Sequence, residues 1–531
     1  MIEVYDTTLR DGTQGKGFTL TSQDKIAIAQ RLDAFGVDYV EGGWPGSNPK
    51  DKIFFETMKQ VPLVRARLAA FGATCRKGVM PELDANIQAL LQAETPVVTI
   101  FGKSWTLHVT EALGTTLDEN LEMIRRSVAF LKEQGKEVIF DAEHYFDGWG
   151  ADSAYAEATL AAAVDGGADR IVLCDTNGGS LPDVIAERVR CAVAEYAVPI
   201  GIHAHNDSDL AVANTLSAVG AGASHVQGTM NGYGERCGNA NLISILANLV
   251  LKLGLEQPQQ LEQLRELSRY IDERANIQPN PRAPYVGDAA FAHKGGVHVS
   301  AVNRRSETYE HVSPDRVGNG RRVLVSELSG RANVVTKAVE FGDALPEGDA
   351  AVQVVERLKE LEHRGYAFES AEASFQLMMK RVRGEYRPFF ELHGYTVVID
   401  KRDVDPEPRC EAAIRVEVGG IFEHTAADGE GPVNALARAL DKVLIPFFPC
   451  LSEVELVDYK VRVLAGPETG TASVVRVLVE MSDGHSRWST VGVSTNIIDA
   501  SYEALTDAIE YKLLLAGVEP PDPVRLARIG A

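Results

Sequence analysis

Short apolar runs rich in β-branched residues alternate along the first half of the chain with longer amphipathic stretches. Eight such runs stand out: "EVYD", "VDYVEGG", "RLAAFGA", "PVVTIFG", "EVIFDAE", "RIVLCDT", "PIGIHAH" and "SHVQGTM". A helical period follows each of them. Residues 21–35 place Ile26, Ala29 and Leu32 on one face behind a Thr/Ser cap, and residues 182–196 and 209–219 repeat the pattern. From Val4 to Val226 the runs recur about every 32 residues, a spacing that predicts a closed (β/α)8 TIM barrel, whose usual length is about 250 residues. A doubly wound sheet would ordinarily use fewer strands, and "GYGERCG" after the eighth run is out of step with G-x-G-x-x-G.

The pattern then changes twice. Residues 267–387, with "PYVGDAAFAHKGGVHVSAV" and "TYEHVSPDRVGN", are too mixed for a ninth barrel unit. Over 388–531, "YTVVIDKRD" and "CEAAIRVEV" read as strands before a helix at Pro432–Leu444. "VELVDYKVRVLAG", "SVVRVLVEMSDG" and "RWSTVGVS" then precede a helix over 498–515, so this region reads as two βββα-like halves. Three segments are expected: 1–266 as the catalytic barrel, 267–387 and 388–531.

Composition narrows the partners. With 531 residues, 45% hydrophobic and 24% charged, the chain is too long for one small core. Its 53 basic and 75 acidic residues give a formal charge of −22, which repels phosphate backbones and anionic lipid. Six cysteines, at 75, 174, 191, 237, 410 and 450, show no C-x-x-C spacing and read as reduced thiols of a cytoplasmic protein. No basic, apolar leader is read at the start, and no apolar stretch approaches the roughly 20 residues of a spanning helix.

A barrel gathers its active site where strand C-termini meet the βα loops, so polar residues should recur there. They do, at Arg10, Asp11, Glu41, Lys103, Glu143, Asp175, Thr176, His203, His205, Asn231, Glu235, Arg236 and Asn239. Ser180, Asp207 and Asn241 read as helix caps. His203 and His205, at i and i+2 on one strand, project to the same side. They are either two hydrogen-bonded core histidines or half of a cation site. Asp11, ending another strand of the ring, favours the cation, because two imidazoles and a carboxylate leave coordination positions open. Mg, Mn, Zn or Fe would fit.

Taken together, "DTTLRDGTQ", "HAHND" and "NGYGERCGNANL" closely resemble the signatures of the metal-dependent acyltransferases and lyases that include the isopropylmalate, homocitrate and citramalate synthases. The likeness runs through the whole chain, and "EGGWPGSNPKD" and "DAEHYFDG" look most like the citramalate branch. The resemblance implies condensation of acetyl-CoA with a 2-keto acid, pyruvate in that branch, and then thioester hydrolysis, in isoleucine biosynthesis. A larger keto acid is the alternative, and a carbon–carbon lyase or a silent amino-acid sensor stands further off.

The resemblance also implies site roles. Asp11, His203 and His205 would hold a divalent cation, with Asn239 as a further ligand or close partner. Arg10 would neutralise the substrate oxyanion; otherwise it pairs with Asp6 or Glu41. Thr176 would bind the keto acid's carboxylate or else cap the helix near Pro182, and Glu143 would serve the proton abstraction from acetyl-CoA. Phe71 and Phe101, near the ends of the third and fourth strands, either close the pocket around the substrate methyl or belong to the core. Residues 267–387 resemble the family's α-rich linker subdomains, whose His298 and Tyr309 would reach into the partner's barrel in a homodimer; His293 stays outside the site as a packed histidine. The C-terminal halves resemble the family's regulatory dimer domain. An isoleucine effector is expected there, with "TAADGEG" and "STVGVSTN" as loops allowing close approach.

Overall fold

The computed structural model describes residues 2–343, 349–401, 407–464 and 473–521. All eight expected strands form: β1 (Glu3–Asp6), β2 (Tyr39–Gly43), β3 (Arg67–Ala73), β4 (Val97–Lys103), β5 (Glu137–Glu143), β6 (Arg170–Asp175), β7 (Ile200–Ala204) and β8 (His225–Gly228). They pair in parallel and in chain order, and β8 pairs with β1 to close the barrel. The first helix begins at Ser22 because Thr21 and Asp24 satisfy each other's free backbone N–H groups in a capping box.

The two-residue period of the strands sorts the barrel. On β5, Val138, Phe140 and Ala142 face the surrounding helices. Ile139 instead joins Tyr5, Tyr39, Ala69, Val97, Val172 and Cys174 in a separate inner cluster. The same alternation carries the inner row upward from Ile139 to Asp141 and Glu143, from an apolar floor to polar groups at the strand's C-terminal end.

Contacts divide the chain into two units, one of residues 2–291 with 311–321 and one of 292–310 with the described residues from 322 on. The second unit carries helices Gly296–Arg304, Arg331–Glu340, Ala350–His363 and Glu372–Val382. Two antiparallel three-stranded sheets follow, Glu391–Asp400, Arg409–Val418 and Ile421–Gly429, then Glu455–Leu464, Val474–Ser482 and Arg487–Ser494. Helix Pro432–Leu444 packs on the first and Ile497–Leu515 on the second. The ends of the expected strands at residues 402–403 and 465–466 lie outside the described residues. Two expected loops are corrected: most of "TAADGEG" and of "STVGVSTN" is strand. Their glycines answer to helix packing, since a Cβ on Gly429 would lie 2.3 Å from the Ala435 nitrogen and one on Gly492 2.0 Å from the Ala500 oxygen. Among the described residues no helix is long and apolar enough to cross a membrane.

Candidate active site

A cavity of about 200 Å3 opens at the C-terminal end of the barrel, lined by Arg10, Asp11, Phe71, Phe101, Glu143, Thr176, His203 and His205 among others. Strand ends that are far apart in sequence deliver these side chains to one place. Asp6 does not join them: its carboxylate accepts from the Thr8 N–H and Oγ1–H at 3.0 and 2.9 Å and ties the turn after β1. Burial raises the Asp6 carboxyl to about 7.

Asp11, His203 and His205 bring one ligand atom each within 4.8 Å of one another. His203 Nε2 lies 3.1 Å from His205 Nε2 and 3.3 Å from Asp11 Oδ2. Burial alone would raise Asp11, but Arg10 and the two imidazoles outweigh it and hold the carboxylate well below its ordinary range. Burial opposes charge on His203 as well, yet the adjacent Asp11 raises it. His205 drops to about 3, because it is buried and faces the charge of His203.

These groups fit a divalent cation. Asp11 Oδ1 and both side-chain amide atoms of Asn239 are buried without a hydrogen-bond partner, which is costly unless another ligand satisfies them. Asn239 forms a backbone bridge to His205, while its side chain is not part of the cavity wall.

Arg10 resolves one alternative. Its Nε donates to Glu41 Oε2 at 2.5 Å, its Nη1 lies 3.2 Å from Asp11 Oδ2, and its guanidinium stacks 3.6 Å from the centre of the Phe71 ring. Glu41 and Asp11 more than offset burial, so the guanidinium stays charged. It therefore belongs to the cavity and to an ion pair with Glu41 at once. Glu143 pairs with Lys103 beside the cavity.

Thr176 does not cap the helix that begins at Pro182. Leu181 holds that position, with no side-chain cap. Thr176 Oγ1 instead accepts from the His144 N–H at 2.9 Å, which leaves its own hydrogen free to point elsewhere. Ser180 and Asp207 are not caps either: Ser180 donates to Asp175 at 2.9 Å, and Asp207 receives Arg236 at 2.7 Å. Arg236 continues from there to the Thr176 carbonyl at 2.7 Å and to His205 Nδ1 at 3.0 Å, clamping two βα loops together. Asn241 does cap its helix, accepting from the Ile243 N–H at 3.0 Å.

Four cavity residues escaped a search for polar strand ends, one of them Gln14 in the short helical turn Gly12–Gln14. Trp44, just beyond β2, stands edge-on to Phe71 and Phe101 at 6.0 and 5.8 Å, and its Nε1 donates to Asn86 Oδ1 at 2.7 Å. Phe71 and Phe101 stack at 5.4 Å, so the three rings make one wall. Cys174, on the inner face of β6, also lines the cavity. Asp141 lines it from β5 two residues before Glu143, and that spacing was the signal that would have found it. Burial raises Asp141 to about 7.

His298 and Tyr309 lie in the second unit, where their rings sit 4.2 Å apart and both residues are exposed. Nearby, buried His293 contacts Glu310 Oε1 at 3.1 Å.

The chain is thus a closed parallel eight-stranded barrel protein that gathers a carboxylate, two histidines and an arginine at the C-terminal end of its strands. Residues 1–271 match the HMGL-like family, 285–366 the homocitrate synthase post-HMGL domain-like family and 369–513 the LeuA allosteric (dimerisation) domain. The (R)-citramalate synthase of Geobacter sulfurreducens is 55% identical over 97% of this chain and 98% of its own, and that of Aquifex aeolicus 52% over the same shares. A probable 2-isopropylmalate synthase of Methanopyrus kandleri is 31% identical over 96% of this chain and 97% of its own. The chain belongs to the HMGL-like family, in the line represented by the (R)-citramalate synthases.

Proposed function

We propose that this chain is an (R)-citramalate synthase. It joins the methyl carbon of acetyl-CoA to the keto carbon of pyruvate, and water then cleaves the thioester to leave citramalate and CoA. The observation that carries this reading is the small cavity in which Asp11, His203 and His205 converge beside Arg10 and an aromatic wall.

Asp11, His203 and His205 would hold a divalent cation (Mg, Mn or Zn), with Asn239 close by. Such an ion polarises a chelated 2-keto acid and stabilises developing alkoxide charge. Arg10, kept charged by Glu41, adds a second positive group beside that oxygen. The free hydrogen of Thr176 donates to the keto acid's carboxylate. Trp44, Phe71 and Phe101 close around the methyl group and leave little room for a branched chain. Glu143 is the carboxylate positioned for the proton of the acetyl methyl group, with Lys103 balancing its charge. His298 and Tyr309 would act from the partner subunit of a homodimer assembled through the C-terminal domain, on acetyl-CoA or on the hydrolytic water. Isoleucine would bind that domain as effector, and the free thiols suit the cytoplasm.

The test is purified protein with acetyl-CoA and a panel of 2-keto acids, following released CoA thiol. Pyruvate should give the highest kcat/KM. Release only with 2-oxoisovalerate or 2-oxoglutarate would reassign the substrate, and cleavage of citramalyl-CoA without condensation would make the chain a lyase.

A further inference from the structure

From the cavity wall a line of buried polar groups crosses the barrel from β5 through β8 to β7. Asp141 Oδ1 accepts from Gln227 Nε2 at 3.0 Å, and Gln227 Oε1 lies 2.9 Å from His203 Nδ1. Gln227 is fully buried, Asp141 is 3% exposed and His203 5%. His203 and Gln227 are register partners on neighbouring strands, whereas Asp141 reaches Gln227 across the barrel interior.

We infer that Gln227 and Asp141 are positioning residues that fix the tautomer of His203, so that its Nε2 is the nitrogen presented to a cation. This rests on the cation reading above. A primary amide has one accepting end and one donating end. With Asp141 as a carboxylate, its oxygen accepts from the donating end of the amide, so the accepting end meets His203, and His203 meets it with Nδ1–H. Turning the amide over would then set its oxygen against a carboxylate oxygen with no proton between them, leaving that end of a buried group unsatisfied. Whether the ring carries one proton or two, the one on Nδ1 is committed. Nε2, 3.3 Å from Asp11 Oδ2 and 3.1 Å from His205 Nε2, is therefore the nitrogen free to give up its proton to a metal. Groups behind a metal-binding histidine typically change metal affinity by about 10–100-fold.

The test measures Mn2+ and Zn2+ binding to the metal-stripped full-length chain by competition with a chromophoric chelator, alongside thermal melts. Gln227→Leu cannot accept the Nδ1 hydrogen and should weaken both ions by about 10–100-fold, while Gln227→Glu, which still accepts it and can share a proton with Asp141, should stay within about threefold of the parent. Asp141→Asn, almost the same size, frees the amide to turn and should weaken binding by about tenfold. Unchanged affinity in Gln227→Leu overturns the relay. So does a loss in Gln227→Glu as large as in Gln227→Leu, because the effect would then be one of packing. Should Gln227→Leu fail to fold, unchanged affinity in Asp141→Asn overturns it. If the parent chain binds neither ion, or Asp11→Ala binds them equally well, the cation reading falls and takes the relay with it. Failure of the glutamine variants alone leaves the cation reading standing.

Discussion

Phe101→Ala tests the aromatic wall while leaving Arg10 on its Phe71 ring, although the Phe101 ring also lies 5.3 Å from Lys103 Nζ. Phe71 also carries the Arg10 guanidinium at 3.6 Å, so removing that ring would disturb charge and shape together. Phe101 stacks on Phe71 at 5.4 Å and meets Trp44 at 5.8 Å, and its loss enlarges a cavity of only about 200 Å3. 2-Oxoisovalerate carries two more carbons than pyruvate. At about 0.8 kcal/mol per buried methylene, room for both is worth about 1.6 kcal/mol, or roughly 15-fold in relative kcat/KM. That figure lies within the 1–3 kcal/mol by which hydrophobic pockets discriminate. Because Phe101 is only partly buried, the fold should lose less than the about 3–5 kcal/mol of a fully buried Phe→Ala change. The assay is CoA thiol release with each keto acid at several concentrations, so that kcat/KM is compared as a ratio within one protein. Trp44→Ala should move the ratio the same way. If both variants fold and neither changes the ratio, the three rings do not set substrate size.

Asp11→Ala, His203→Ala and His205→Ala should each abolish turnover while melting close to the parent protein, since the residues sit above the packed barrel layers; full activity in the presence of a chelator would contradict this. Mixing inactive Asp11→Ala with inactive His298→Ala subunits should restore part of the activity, because a mixed dimer regains one intact composite site, and no recovery despite verified subunit exchange would place each site within one chain. Isoleucine should inhibit and leucine should not; the reverse response would assign the chain to a different keto acid. Asp6 is expected to show in the pH dependence of stability. Its carboxyl is raised to about 7, so the folded chain binds the extra proton between about pH 4 and 7 and loses that stabilisation as pH rises through 7. Asp6→Asn should therefore gain Tm relative to the parent at pH 8 compared with pH 5, and an equal difference at both pH values would argue against it.

What local periodicity controls was legible before folding. The eight strands came from runs of apolar residues, the capped helix at Ser22 from a Thr/Ser cap ahead of its apolar face, and the pairing of His203 with His205 from the two-residue repeat of a strand. Each of these depends on backbone geometry over a few residues. Gly429 was read by its local company as a loop residue and Gly492 both as strand and as loop; both lie in strands, where the helices above approach too closely for a Cβ. Trp44 has no polar strand-end signal, and its place in the cavity wall comes from β3 and β4 bringing Phe71 and Phe101 against it. Arg10 had two candidate partners until closure placed Glu41 beside it and Thr8 took Asp6. The line from Asp141 through Gln227 to His203 has no sequence signature, because Asp141 and Gln227 stand on non-adjacent strands. Backbone period decided which side of each strand faces inward; closure and register of the barrel decided which inward-facing groups meet, because those contacts join residues that no local spacing relates.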